Sequence, residues 1–299
     1  MTHKINIRNC RPQDAGDAVA YQRLKDGAVF AHLMTRPGYN VRQDLFFAEA
    51  NGITVGFINV IPELGINRAV LDYAVDPSQD LKPVLTALAQ PALKRAKQVG
   101  AAVAHMGIPA LEMEPVAVIQ SLGFQPVRRF CDLQLNISET DLEGADKMDW
   151  GYRYLKDSDV QLLSDIQNRC FAGEWGYNPN TVEDTAWQLK VRNNCPEDII
   201  LALDEGEVIG YCWTESECGL EPTTGLRKGR VYMLGVAPRY RGKGLGKQLL
   251  RAGLLHLKNQ GRELIEITVD TQNTVAIALY QWLGFKICRE IAFYEKGLR

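Results

Sequence analysis

Apolar residues recur along this chain at two periods, and the same succession of periods occurs twice. The run Ile199-Ile200-Leu201-Ala202-Leu203 meets Asp204-Glu205-Gly206 and resumes as Val208-Ile209-Gly210-Tyr211. Strand, tight acidic-Gly turn and strand predict a hairpin. Leu45-Phe46-Phe47-Ala48-Glu49-Ala50-Asn51-Gly52 followed by Val55-Gly56-Phe57 has the same layout, with Gly52 matching Gly206 and Gly56 matching Gly210. Val231-Tyr232-Met233-Leu234-Gly235-Val236 reads as a further strand. Beyond it Leu249, Leu250, Leu254 and Leu257 recur at helical spacing while Lys247, Gln248, Arg251 and Lys258 face away, and Gly261 ends the run. That pattern predicts a helix packed on a sheet by one face, with Gly253 allowing close approach and His256 a partly exposed helix residue. Glu263 to Val269 alternates as the next strand, and Thr274 to Leu283 forms a short apolar helix.

A constant offset makes the repetition firm. Val75-Asp76-Pro77 matches Val236-Ala237-Pro238, and Leu122-Gly123-Phe124 matches Leu283-Gly284-Phe285, both 161 residues apart. Two copies of one unit follow, each laid out as hairpin, strand, long helix, strand, helix, Leu-Gly-Phe, strand. The expected class is α/β, two tandem domains, each a mixed and mostly antiparallel sheet flanked by helices. Their expected bounds are 1–137 and 150–299, joined by the acidic, aperiodic linker from Ile137 to Asp149. Trp150-Gly151-Tyr152-Arg153-Tyr154 opens the second copy as a strand, and Lys4 to Arg8 does so in the first.

Composition narrows the function. A hydrophobic share of 46% and a charged share of 23% over 299 residues suit an ordinary globular protein. A net charge of −2 supplies no general attraction to nucleic acid or an acidic membrane surface. Neither nucleic acid nor membrane is therefore an expected partner. The N-terminus lacks a long apolar core and no apolar run reaches membrane-spanning length, so a cytoplasmic location is expected. Cys10, Cys131, Cys170, Cys195, Cys212, Cys218 and Cys288 form no C-x-x-C or Cys/His cluster, so neither a disulfide framework nor a metal site is expected. Cys131 and Cys212 sit in apolar strands as inert core thiols.

Arg241-Gly242-Lys243-Gly244-Leu245-Gly246-Lys247 lies between the strand ending at Val236 and the amphipathic helix. Alternate glycines let main-chain N–H groups approach an anion without Cβ obstruction, and the helix aims its partial positive end at the same point. Spacing excludes two nucleotide classes. G-x-G-x-x-G would need glycine where Lys247 stands; the Walker loop would need glycine at Arg241 and a hydroxyl at Gln248. R-x-x-G-x-G remains, preceded by Val236-Ala237-Pro238 and followed by Asn273, Tyr280 and Leu283-Gly284-Phe285. This combination, over about the last 150 residues, resembles the acetyl-CoA site of the GNAT superfamily of N-acetyltransferases. In the first copy Arg241, Gly242, Gly244, Gly246 and Tyr280 fall on Asp80, Leu81, Pro83, Leu85 and Ile119. An acidic residue, bulky side chains and a proline without N–H cannot make the same cradle. The first half is accordingly expected to be a degenerate GNAT-like domain that covers the sheet or shapes its partner's cleft; a CoA site of different geometry is the alternative.

The resemblance implies acetyl-CoA as co-substrate. Leu234, Gly235, Val236, Arg241, Gly242, Lys243, Gly244, Leu245, Gly246, Lys247 and Asn273 are the implied contacts, and Asn273 is also a helix cap. The nearby basic run Arg227-Lys228-Gly229-Arg230 with Arg239 suits coenzyme phosphates or a solvated loop. Attack of a neutral amine on a thioester needs a proton acceptor, donors for the oxyanion and an acid for the leaving thiolate. Tyr280 matches the family's tyrosine and is assigned as the acid, against the plain reading of a buried aromatic. The tandem arrangement and Cys170-Phe171-Ala172-Gly173-Glu174-Trp175-Gly176-Tyr177-Asn178-Pro179 resemble the mycothiol synthases, which place a glutamate just before V-Y-x-L-G-V. Here that position is Arg230, which cannot act as a base and argues against that activity. Glu217, or Glu215 beside it, becomes the candidate base, each also readable as an exposed loop carboxylate. Arg230 suits an anionic substrate. Phe171, Trp175 and Tyr177 form an aromatic cluster readable as an acceptor wall or as helix packing. The expected function is transfer of acetyl from acetyl-CoA to a primary amine of a small molecule or peptide. A non-catalytic acyl-CoA sensor or structural protein is the alternative.

Overall fold

A computed structural model describes residues 4–25, 29–192, 194–216 and 218–298. In chain order the strands are β1 (Asn6–Asn9), β2 (Leu45–Ala50), β3 (Ile53–Glu63), β4 (Arg68–Val75), β5 (Val103–Pro109), β6 (Gln125–Asn136), β7 (Gly151–Tyr154), β8 (Ile199–Asp204), β9 (Glu207–Glu215), β10 (Lys228–Val236), β11 (Leu264–Asp270) and β12 (Lys286–Gly297). The helices are α1 (Ala15–Leu24), α2 (Phe30–Met34), α3 (Val41–Asp44), α4 (Leu81–Gln98), α5 (Met113–Ser121), α6 (Val160–Phe171), α7 (Val182–Val191), α8 (Leu245–Asn259) and α9 (Thr274–Trp282).

Two compact units result, one of residues 1–129 with 291–299 and one of residues 130–290. This partition differs from the expected 1–137 and 150–299 for a topological reason. In the first unit β5 pairs antiparallel with the end of β12, Ile291 opposite Pro109 through Gly297 opposite Val103. In the second, β11 pairs antiparallel with β6, Leu264 opposite Asn136 through Asp270 opposite Phe130. Each sheet is thus completed by the strand that follows the Leu-Gly-Phe of the other repeat. The expected linker is also built in: Ile137, Leu142 and Ala145 are buried with the C-terminal core, and Gln248 on α8 hydrogen-bonds the Asp149 main-chain N–H at 2.9 Å. Its apolar residues are few, but those it has all point inward.

Within the N-terminal unit β1-β2-β3-β4-β5 pair in sequence order, antiparallel except for β4 with β5. One face of the sheet packs on α4 and α5 through Leu85, Leu88, Ala92 and Ile119. The other packs on α1 to α3 through Tyr21, Phe30, Val41, Phe47 and Phe57. In the C-terminal unit β7-β8-β9-β10-β11 repeats the order, antiparallel except for β10 with β11. Its α8 face buries Leu249, Leu250, Leu254 and Leu257, the four residues of the helical period, and its α6 face buries Leu163, Ile166, Tyr211 and Trp213. Both are mixed α/β sheets with helices on two sides.

The matched glycines of the hairpins do the same work in both units. A Cβ on Gly56 would lie 3.0 Å from the Ala74 carbonyl oxygen and 3.1 Å from Val84, and one on Gly210 would lie 2.9 Å from the Gly235 carbonyl oxygen and 3.0 Å from Leu249. Each lets the long helix come down onto its sheet.

Ending the chain at Glu290 removes the ladder on β5 and the buried Ala292, Tyr294 and Leu298. The expected loss is on the order of 5 kcal/mol, read in a thermal melt as a transition lowered by roughly 10 °C or more. An unchanged melt would mean that β12 does not complete the N-terminal sheet.

Candidate active site

The site forms where β10 leaves β11. Their parallel pairing runs from Lys228 beside Leu264 to Val231 beside Ile267 and is not continued on β10 beyond that point. On its other side β10 stays paired with β9 to Val236 opposite Gly210, with a bulge between Val231 and Met233. The bulge turns two consecutive side chains, Tyr232 and Met233, toward the α6 face, while Val231 before it and Leu234 after it face α8. From Tyr232 onward the β10 edge nearest β11 is open to an extended chain carrying its own amides. At Gly235 the backbone meets α6 closely: a Cβ there would fall 2.6 Å from the Tyr211 ring and 2.9 Å from Cys170 Cβ.

The open edge runs directly into the glycine loop. Gly242 and Gly244 have φ of +76° and +84°, a region that disfavours side chains, and a Cβ at either would enter open space. Gly244 is the N-cap of α8 and no side chain caps that helix. Its first-turn N–H groups and dipole are therefore suited to an anion. Arg241 holds the loop in place: its guanidinium donates to the Cys170 carbonyl at 2.6 Å and the Val236 carbonyl at 3.2 Å, and stands 3.6 Å from Glu174. Lys243 stands over the Tyr240 ring at 5.2 Å and Lys247 over the Trp282 ring at 3.7 Å. The corresponding start of α4 is already capped, because Asp80 accepts from the Lys82 N–H at 3.2 Å. A carboxylate of the chain occupies the place that an external anion would take.

Asn273 caps α9, accepting from the Ala276 N–H at 3.1 Å. Tyr280, one face further along, is buried in the same core cluster as Leu234 and Val236, with its ring 6.0 Å from that of Phe285. Burial, with a smaller contribution from Cys212, raises the phenol well above its ordinary pKa. The phenol therefore stays protonated at neutral pH.

On the opposite face of β10 the polar residues are already linked. Arg230 lies between Glu215 on β9 and Glu266 on β11 in register, yet its guanidinium contacts Thr268 at 3.5 Å. Glu215 is buried and paired with Arg192, whose guanidinium lies 3.6 Å from the centre of the Tyr232 ring; it is not the exposed loop carboxylate that its position suggested. Glu266 takes Lys228 at 3.6 Å and Gln134 at 3.0 Å. Thr268 donates to Asp132 at 2.6 Å, and Arg289 grips the same carboxylate at 2.6 and 2.8 Å. Glu217 lies outside the described residues. Arg192, Asp132 and Arg289 were not singled out from sequence, since no motif or period links residues 23 or 157 positions apart.

The aromatic cluster separates into two contacts. Trp175 faces Phe130 at 5.9 Å, while Tyr177 stacks on Phe171 at 5.3 Å and donates to Asn168 at 2.9 Å. Burial pushes the Tyr177 phenol up to about 12. Tyr177 therefore ties α6 to the segment that follows it. Among the described residues no group of three or more His, Cys, Asp and Glu is placed to hold a metal ion, and no helix is long and apolar enough to cross a membrane.

An open strand edge ending at a glycine-capped helix, in a sheet of this order, has the architecture of a coenzyme A-dependent acyltransferase. Residues 160–285 match the Acetyltransferase (GNAT) family. The mycothiol acetyltransferase of Paenarthrobacter aurescens is 31% identical over 237 residues, covering 76% of this chain and 70% of that protein. The one of Segniliparus rotundus is 29% identical, covering 86% and 96%. A GCN5-related N-acetyltransferase from Sphaerobacter thermophilus shares the fold with a TM-score of 0.73 at 18% identity, over 99% of this chain and 96% of that one. A tandem GNAT protein from the clavulanic acid biosynthesis pathway does so with a TM-score of 0.73 at 17% identity, over 99% of both chains. The chain belongs to the GNAT family of acetyltransferases. It is an acyltransferase, in a family whose acetyl donor is acetyl-CoA.

His256 is half-buried, as a partly exposed helix residue would be, and its ring meets the buried Asp198 at 3.0 Å. Burial opposes ionisation of Asp198, but the His256 hydrogen bond, the Cys195 N–H and Asn194 together hold its pKa below the usual carboxylate value. Asp198→Asn, which weakens hydrogen bonds to a buried carboxylate, is expected to lose about 2 kcal/mol at neutral pH. The folded pKa lies below the unfolded value near 4, so this deficit is full above that value and shrinks as pH falls through the folded one. Urea melts of both proteins at about pH 7 and about pH 3 check the sign; a deficit that grows in acid would contradict it.

Proposed function

We propose that the C-terminal unit binds acetyl-CoA along β10 and passes its acetyl group to a primary amine of a small molecule or peptide. The carrying observation is the continuity of the open β10 edge with the uncapped, glycine-lined start of α8. Amides of the pantetheine arm would pair with Leu234, Gly235 and Val236 as an added strand does. Pyrophosphate oxygens would receive N–H groups from Gly242 to Gly246, with Lys243 and Lys247 supplying charge. Asn273 caps α9 through its oxygen and keeps its amide donor for the same arm. Arg241 contributes chiefly by fixing the loop, since its guanidinium already holds two carbonyls.

The amine attacks the thioester carbon, the tetrahedral intermediate collapses, and the C–S bond breaks. Tyr280 then gives its proton to the departing thiolate. The amine proton goes, directly or through water, to a carboxylate at the end of β9, Glu215 or Glu217. For Glu215 this requires release from Arg192. Arg230 beside the amine favours its neutral form and offers a charge partner to an acceptor with an anionic group. Trp175 lines the acceptor side, and Tyr177 shapes it from behind. The relatives' name makes the mycothiol acetyltransferase acceptor one member of the panel to assay, together with amino acids, aminoglycosides and peptide N-termini.

Acetyl-CoA is expected to raise the melting temperature, and Gly244→Glu, which places a strained side chain and a carboxylate in the cradle, to abolish the rise. A shift that survives this substitution would refute the cradle. With an accepted amine, Tyr280→Phe is expected to lower kcat about a hundredfold with little change in the KM for acetyl-CoA; full thiol release by this variant removes Tyr280 as the acid. Thiol release across the amine panel tests the transfer itself, and binding without turnover of any amine would count against it.

A further inference from the structure

Trp282 ends α9 with 58% of its surface exposed, and the Lys247 ammonium lies 3.7 Å from its ring centre. It is not among the residues that build the core around Tyr280, Leu283 and Phe285. Val275, 81% exposed, stands seven residues earlier on the same side of the helix. The outward side of α9 thus carries Val275, Ala278 and the Trp282 indole beside Thr274 and Gln281, while its inward face holds Tyr280. Lys247 belongs to the first turn of α8, one residue beyond the last glycine of the loop, so this indole lies one lysine side chain away from the anion cradle.

A flat aromatic face with a cation, next to a phosphate site, has the chemistry to hold a nucleobase: every base presents a π-face to stack, and a lysine can pair with the attached phosphate. The geometry points to Trp282 and Lys247 as the adenosine end of the acetyl-CoA site, with the indole stacking on the adenine ring and Lys247 meeting a phosphate of the nucleotide. The loop and β10 fit the coenzyme on independent grounds, namely open space at Gly242 and Gly244 and an open strand edge. The inference rests on that acetyl-CoA reading and extends it to a part of the surface that the loop does not reach. Discrimination between the full coenzyme and its adenosine-free arm would then reside in one exposed side chain on α9.

The test compares acetyl-CoA with S-acetyl-4′-phosphopantetheine, which keeps the thioester, the arm and one phosphate but lacks adenosine. Binding of both is measured by titration calorimetry, and indole emission is followed during the titration. Trp282→Ala is expected to weaken acetyl-CoA by about tenfold and the shorter ligand by less than about twofold, with Trp282→Phe retaining most of the affinity. Emission quenched by acetyl-CoA in the parent chain would be quenched less in Trp282→Ala. Unchanged acetyl-CoA affinity in Trp282→Ala, or equal weakening of both ligands, overturns the adenosine platform while leaving the cradle in place. Failure of the parent chain to bind acetyl-CoA overturns the cradle reading and the platform with it.

Discussion

The parting of β10 from β11 after Val231 is the constraint on which the rest of the C-terminal unit turns. Every main-chain N–H and C=O in a sheet needs a partner, and an interior strand normally finds one on each side. Here β9 follows β10 to Val236 while the β11 pairing stops at Val231. The bulge bends the strand at the same place, so the edge that opens belongs to a sheet otherwise continuous on its far side. Gly235 brings α6 within contact of that strand, and Arg241 ties the end of α6 to the loop that follows. Strand, helix and loop are thereby fixed relative to one another before any ligand arrives. Rigidity of this kind is what places a thioester carbon within reach of a nucleophile.

The two repeats share this framework and differ in charge at its end. In the N-terminal unit β4 likewise pairs with β5 only from Arg68 to Val70 among the described residues. Yet α4 starts with Asp80 as its own cap, Pro83 in its first turn and Leu85 fully buried. The same helix terminus is capped by a side chain of the chain in one copy and by none in the other. In the first copy Asp80 accepts one of the free N–H groups and Pro83 has none to offer.

Charge pairing also reshapes the acceptor face. Glu215, Glu266 and Asp132 are taken up by Arg192, Lys228 and Arg289, leaving Arg230 with a hydroxyl contact. The position where relatives of this kind were expected to carry a carboxylate is therefore cationic in a setting where the neighbouring carboxylates are already engaged. In the proposed transfer Arg230 would pair with an anionic group on the amine, and the base would come from the end of β9.

The linear pattern of the chain was enough to determine the repeat, the two hairpins, the α8 period and the glycine loop, because each depends on residues close together or on a constant offset. Cys131 and Cys212 are buried, as their apolar strands required; burial raises the Cys131 thiol and pushes that of Cys212 up to about 12. Tertiary structure alone decided that β6 and β12 complete each other's repeat, since an antiparallel strand beside β5 or β11 has the same sequence requirements whichever copy supplies it. It alone decided that Glu215 belongs to Arg192, that His256 belongs to Asp198, and that Trp282 stands beside Lys247. These contacts join residues brought together by packing from separate elements, where neither period nor motif carries information about the partner.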